Sequence, residues 1–158
     1  GLAKVRKISP KISFNWNKTR CDIETLKAVV QHRLDVMAHF HRAFRKVYHT
    51  ELEKLSKMGS GDVHLFREAS NWLFNRLPTA ELSETEQNKL SQVLKKNSML
   101  SMMYQLEKGL LALWDGASGS PEQLADQLEQ WCRKAEASGV AAMERFSKRL
   151  RSYALASS

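Results

Sequence analysis

The sequence is short of the residues that build turns. It has 7 glycines and 3 prolines in 158 residues, too few for a fold made of many strands and tight turns. The two cysteines, Cys21 and Cys132, have no CxxC partner and do not make a disulfide framework, so both read as reduced thiols. No run approaches the ~18–20 apolar residues of a membrane-spanning helix. The N-terminus has no apolar segment of the kind that marks a secretory signal. Neither GxxxxGK[ST] nor GxGxxG occurs, so the loops that cradle nucleotide phosphates are missing. Nothing in the residues themselves points to a catalytic site.

What is present is a foldable composition, 42% hydrophobic and 27% charged, with a formal net charge of +8. The charge is unevenly placed. Lys4, Arg6, Lys7, Lys11, Lys18 and Arg20 fall in the first 21 residues, where there is no acid. The rest of the chain is close to neutral. Residues 1–21, interrupted by Pro10, therefore read as a basic irregular arm. Within it Lys4, Arg6, Lys7 and Lys11 are candidate contacts to an anionic surface, either nucleic acid or lipid headgroups; a solvated linker is the plainer reading. The chain opens on Gly1 rather than Met, which reads as a piece of a longer protein.

Residues 22–158 read as one helical domain. From Asp22, a helix-capping residue, apolar side chains recur at Ile23, Leu26, Val30, Leu34, Met37, Phe40, Phe44, Val47, Leu52 and Leu55, mostly in steps of three and four. No glycine or proline intervenes before Gly59, so the pattern predicts one helix of about 35 residues, ~50 Å long at 1.5 Å per residue. Asp62 is placed to cap a second helix reaching about Leu77, before Pro78. Ser83 with Glu86, and Ser120 with Pro121 and Gln123, spell capping boxes that open further helices. Gly116 and Gly139 mark helix ends, and the last helix carries Val140, Met143, Phe146, Leu150 and Tyr153. The expected fold is all-α: one long N-terminal helix packed with about five shorter helices in a bundle-like domain.

Three groups of residues invite a chemical reading. His32, Asp35 and His39 would share one face of the long helix and offer metal-ligand chemistry, but no HExxH occurs and one helix cannot close a site; an exposed polar face is favoured. Arg145, Lys148, Arg149 and Arg151 make the last helix basic at its C-terminal end, where the helix dipole favours cations and phosphate binding is the weaker reading. Trp16, Trp72, Trp114 and Trp131 follow apolar faces and read as core anchors, not as base-stacking platforms. Catalytic, cofactor-binding and metal residues are therefore expected to be none in this chain.

Two resemblances add to this. Leu2-Ala3-Lys4-Val5-Arg6-Lys7 with Pro10-Lys11, the run Cys21 to Val29 with His32-Arg33, the run Trp131 to Gly139 and the run Arg149 to Leu155 together resemble the C-terminal extension of bacterial membrane-bound fatty-acid desaturases. That resemblance implies a non-catalytic docking or regulatory domain on the cytoplasmic side of the inner membrane. Its parent would be a di-iron oxidoreductase, and its partners the desaturase domain, anionic lipid headgroups or an electron donor. The HxxxH and HxxHH boxes that hold iron in that family are missing, so no metal residue transfers. The second resemblance covers residues 66–154. Asn88-Lys89-Leu90 through Leu100, Tyr104-Gln105-Leu106, Leu113-Trp114, Gln130-Trp131 and Ala137-Ser138-Gly139 are similar to the helical segment inserted in the catalytic domain of a family of bacterial insertion-sequence transposases, ahead of its last acidic catalytic residue. It implies a nucleic-acid-associated module. The desaturase resemblance, which takes in both ends of the chain, is the leading expectation and the transposase resemblance the alternative.

Overall fold

The computed structural model describes residues 21–74, 81–115 and 120–153. Among them are seven helices and no strand: α1 (Ile23–Gln31), α2 (Arg33–Lys57), α3 (Val63–Leu73), α4 (Glu84–Lys96), α5 (Ser98–Asp115), α6 (Pro121–Glu136) and α7 (Ala141–Arg151). The all-α expectation holds. The basic arm, with Lys4, Arg6, Lys7 and Lys11, lies outside the described residues, apart from Cys21, and so do Trp16, Pro78 and Gly116.

The single long N-terminal helix does not form. The chain breaks at His32, which caps α1 with φ −104° and ψ 39°, and α2 then runs 25 residues without interruption through His49. No glycine or proline announces this break; a tryptophan from elsewhere in the chain accounts for it. In a continuous helix the Val30 carbonyl would accept the amide of Leu34. Here it accepts the indole N–H of Trp114 at 3.3 Å, and the Arg33 guanidinium lies 5.4 Å from the centre of the same indole ring.

Most caps follow local sequence. Asp22 accepts the Thr25 amide, and both serine capping boxes form, Ser83 with Glu86 and Ser120 with Gln123. Asp62 stands at the N-cap of α3 but its side chain makes no capping bond; its carboxylate meets Lys96 at 3.2 Å instead, and α3 stops at Leu73. Asn97 carries a role the sequence did not advertise. It ends α4 and its side-chain oxygen accepts the Leu100 amide at 2.9 Å, starting α5 one residue later. Gly59 and Gly139 both take positive φ, 67° and 80°, at the turns that follow α2 and α6, which is why glycine stands at each.

The helices gather into two compact units. One is Leu34–Lys108 and holds nearly all of α2, with α3, α4 and the first part of α5. Its core is an aromatic seam. Phe40 and Phe44 meet edge to face, Phe44 and Tyr48 both pack on Phe74, and the Tyr48 hydroxyl donates to the Phe66 carbonyl at 2.8 Å. Trp72 is buried and donates its indole N–H to Glu86.

The other unit consists of the segments up to Arg33 and from Gly109 onward, in which α6 packs on α7 and both contact α1. Leu26, Val29, Leu110, Leu128, Trp131 and Met143 are buried there. Beside this apolar core lies a buried ion network. Arg151 donates to Glu129 at 2.8 Å and to Glu136 at 2.7 Å, and its side chain is only 7% exposed against 5% for Glu129. Glu129 also accepts the Cys21 amide and the Arg133 side chain, each at 2.7 Å. Burial alone would push the Glu129 carboxyl up; the Arg133 and Cys21 hydrogen bonds and the Arg151 charge outweigh it and hold the group below the usual carboxylate range. The Cys21 thiol is pushed up, because it donates to Cys132 4.0 Å away and is buried.

Two outcomes follow for this unit. Arg151→Met leaves the buried Glu129 with the half-exposed Arg133 as its remaining charged partner and should cost up to about 3–5 kcal/mol in urea unfolding. The double change Glu129→Met with Arg151→Met should recover most of that, and a double variant as weak as the single would refute the account. The folded pKa of Glu129 lies below its unfolded value. Its stabilisation is therefore complete above about pH 4.3 and is lost as pH falls through the folded value. Thermal melts from pH 5 to 2 should show wild type losing stability more steeply than Glu129→Gln; parallel curves would remove this group from acid unfolding.

Candidate nucleic-acid interface

Helix α2 is two-faced because of its sequence. Val36, Met37, Phe40, Phe44, Val47, Tyr48 and Glu51 are buried on one side. At 100° per residue, that burial turns Arg42, Arg45, Lys46 and His49 to solvent, and all four are exposed. Residues 36–50 contain no Asp or Glu. The nearest acids along this face already have partners. Asp35 meets His39 at 3.3 Å, and Glu53 meets Lys57 at 3.9 Å. Among the described residues, Arg42, Arg45 and Lys46 have no carboxylate partner.

Arg42 is held in place without being neutralised. Its Nη1 lies 3.0 Å from His39 Nδ1, while His39 Nε2 lies 3.3 Å from Asp35 Oδ1. One imidazole tautomer satisfies both contacts: Nδ1 accepts from Arg42, and Nε2–H donates to Asp35. Arg45 rests its guanidinium 5.4 Å from the centre of the Phe74 ring. These contacts fix two planar, charged forks on an exposed helix face, which is the geometry that suits phosphate oxygens.

The other candidates divide differently. His32 caps α1 and meets the Tyr153 ring at a tilt, so it does not share a helix face with Asp35 and His39. Among the described residues, no three His, Cys, Asp or Glu side chains come together as a metal would require. In α7, Arg151 is buried in the ion network and Lys148 pairs with Glu144 at 3.6 Å; Arg145 and Arg149 are exposed. Trp72 and Trp131 are core residues and Trp114 secures the helix break. His41 turns inward to bond the buried Glu107. Between α4 and α5 a groove of about 500 Å³ is lined by Leu90, Leu94, Lys95, Ser101 and Tyr104, among others. It brings together no acid–base pair and no nucleophile with a base.

The α2 cations were not singled out from sequence, where helical periodicity drew attention to the apolar side of the same segment. The signal that marks them is the acid-free stretch 36–50 combined with cations at i, i+3 and i+4. That spacing works against the helix. Like charges four apart on a helix destabilise it by roughly 0.2–0.5 kcal/mol per pair. Lys46→Gln should therefore leave the melting temperature unchanged or slightly raised at low salt, with the difference gone at 1 M salt, where the Debye length is ~3 Å. A clear loss of stability at both salts would mean that Lys46 supports the fold.

Comparison with known proteins bears on the two resemblances. A family model described as a transposase, that of the ISL3 family, matches residues 27–156. No curated protein and no solved structure matches the chain. The match supports the transposase resemblance over the desaturase one and overturns the desaturase, lipid-metabolism and oxidoreductase readings. The family match spans most of the chain. It also begins at Lys27, well before residue 66, and so takes in α2 as well. Among the described residues no helix is long and apolar enough to cross a membrane.

Proposed function

Because the chain belongs to the ISL3 transposase family, we propose that it is a helical, nucleic-acid-associated module of a transposase that holds DNA through its phosphate backbone. The family match over residues 27–156 carries this reading. The net charge of +8 and the exposed cations of α2 supply the chemistry. Cations that neutralise phosphates release condensed counterions, and that release drives binding without reading base sequence. In this reading Lys4, Arg6, Lys7 and Lys11 are further phosphate contacts, since a basic arm free of acids adds to the same electrostatic attraction.

The test is fluorescence anisotropy of the whole chain with a labelled DNA duplex at 50–300 mM salt, alongside sedimentation with anionic vesicles. Binding should weaken steeply and linearly on a log–log plot against salt. Changing Lys4, Arg6, Lys7 and Lys11 together to Glu should reduce the slope by up to ~3.6, at ~0.9 per phosphate contact. Strong vesicle binding with no measurable affinity for DNA at 50 mM salt would refute the reading.

A further inference from the structure

We infer that the exposed face of α2 from His39 to His49 is the surface on which duplex DNA docks, with Arg42, Arg45 and Lys46 as its phosphate contacts. This rests on the reading of the chain as a nucleic-acid-associated module and names the surface within it.

Cations in the last turn of a helix are explained by the helix dipole, and that accounts for Arg149 and Lys148 in α7. Arg42, Arg45 and Lys46 lie in the middle of the 25-residue α2, where the dipole contributes nothing. Their spacing costs the helix stability through mutual repulsion, and no carboxylate among the described residues offsets it. The fold gives no reason for charge to be gathered there, whereas an anionic partner does.

Arg42 to Lys46 spans ~6 Å of helix axis, and His39 to His49 ~15 Å. A duplex presents one phosphate charge per ~1.7 Å of its own axis, so the patch faces several phosphates at once. Arg42 is oriented through His39 and Asp35, and Arg45 through the Phe74 ring, so less side-chain freedom is lost on contact than for unrestrained surface cations. Asp35 and Glu53 stand at the two ends of the face, each beside a basic partner, and bound the tract. A flat lipid surface would be met equally well by any exposed cluster, including that of α7. Oriented guanidinium forks on one helix face favour discrete phosphates.

The experiment compares two double reversals in the full chain: Arg42→Glu with Lys46→Glu on α2, and Arg145→Glu with Arg149→Glu on α7. Each changes net charge by the same amount. Binding to a labelled 20-base-pair duplex is followed by anisotropy over a salt series, with circular-dichroism melts of every variant. The α2 reversal should cut affinity at least tenfold at 100 mM salt and lower the log–log salt slope by ~2, at ~0.9 per lost contact. The α7 reversal should change the slope by less than half as much. Equal losses from both reversals would overturn the inference, since net charge alone would then govern binding, while leaving the functional reading intact. Wild type that fails to bind DNA would overturn both. Should the α2 reversal melt early, Arg42→Gln with Lys46→Gln keeps the helix and must still lower the slope by ~2; an unchanged slope would overturn the inference.

Discussion

Burial along one side of α2 sets the orientation of everything on its other side. Phe40 and Phe44 are completely buried, and Val36 and Tyr48 nearly so. Each large apolar side chain taken from water contributes roughly 1.5–3 kcal/mol. Rotating the helix to turn its cations inward would give up several such burials and add unpaired buried charges, which is far costlier than the mild repulsion among the exposed cations. The aromatic seam of Phe40, Phe44, Tyr48 and Phe74 therefore determines both the packing of the Leu34–Lys108 unit and the direction in which Arg42, Arg45 and Lys46 point.

The second unit reaches stability by a different route. Its apolar core is accompanied by a buried arginine with two glutamate partners, fastened to the chain at the Cys21 amide. Such a network contributes little net energy over an apolar replacement but is costly to break singly. It ties the segment just before α1 to the end of α7, residues 21 and 151, which lie far apart in sequence.

Much of the fold was legible in the residues. The capping boxes at Ser83 and Ser120 and the cap at Asp22 are local signals, and each formed as read, whereas the apolar spacing gave helix but not its break, and left Leu34 87% exposed. The misses share one cause. Trp114 takes the Val30 carbonyl and so splits the long helix, and Lys96 draws Asp62 away from its capping role. Both depend on residues distant in sequence, and no local pattern encodes them. The candidate surface was legible only in part. The arm and the α7 cluster stand out as runs of charge, whereas the α2 tract is spread at helical spacing and interleaved with apolar residues. The desaturase resemblance, which takes in both ends of the chain, led over a transposase resemblance that the family match supports better.

The account turns on one claim, that this helical module meets DNA with the exposed face of α2. A backbone-amide NMR titration of the isotope-labelled chain with a short duplex addresses it without mutation. The account predicts that the largest shift changes fall within residues 38–50, at Arg42, Arg45, Lys46 and His49, and fade as salt is raised. Shift changes confined to α6 and α7, or none at all at low salt, would contradict it.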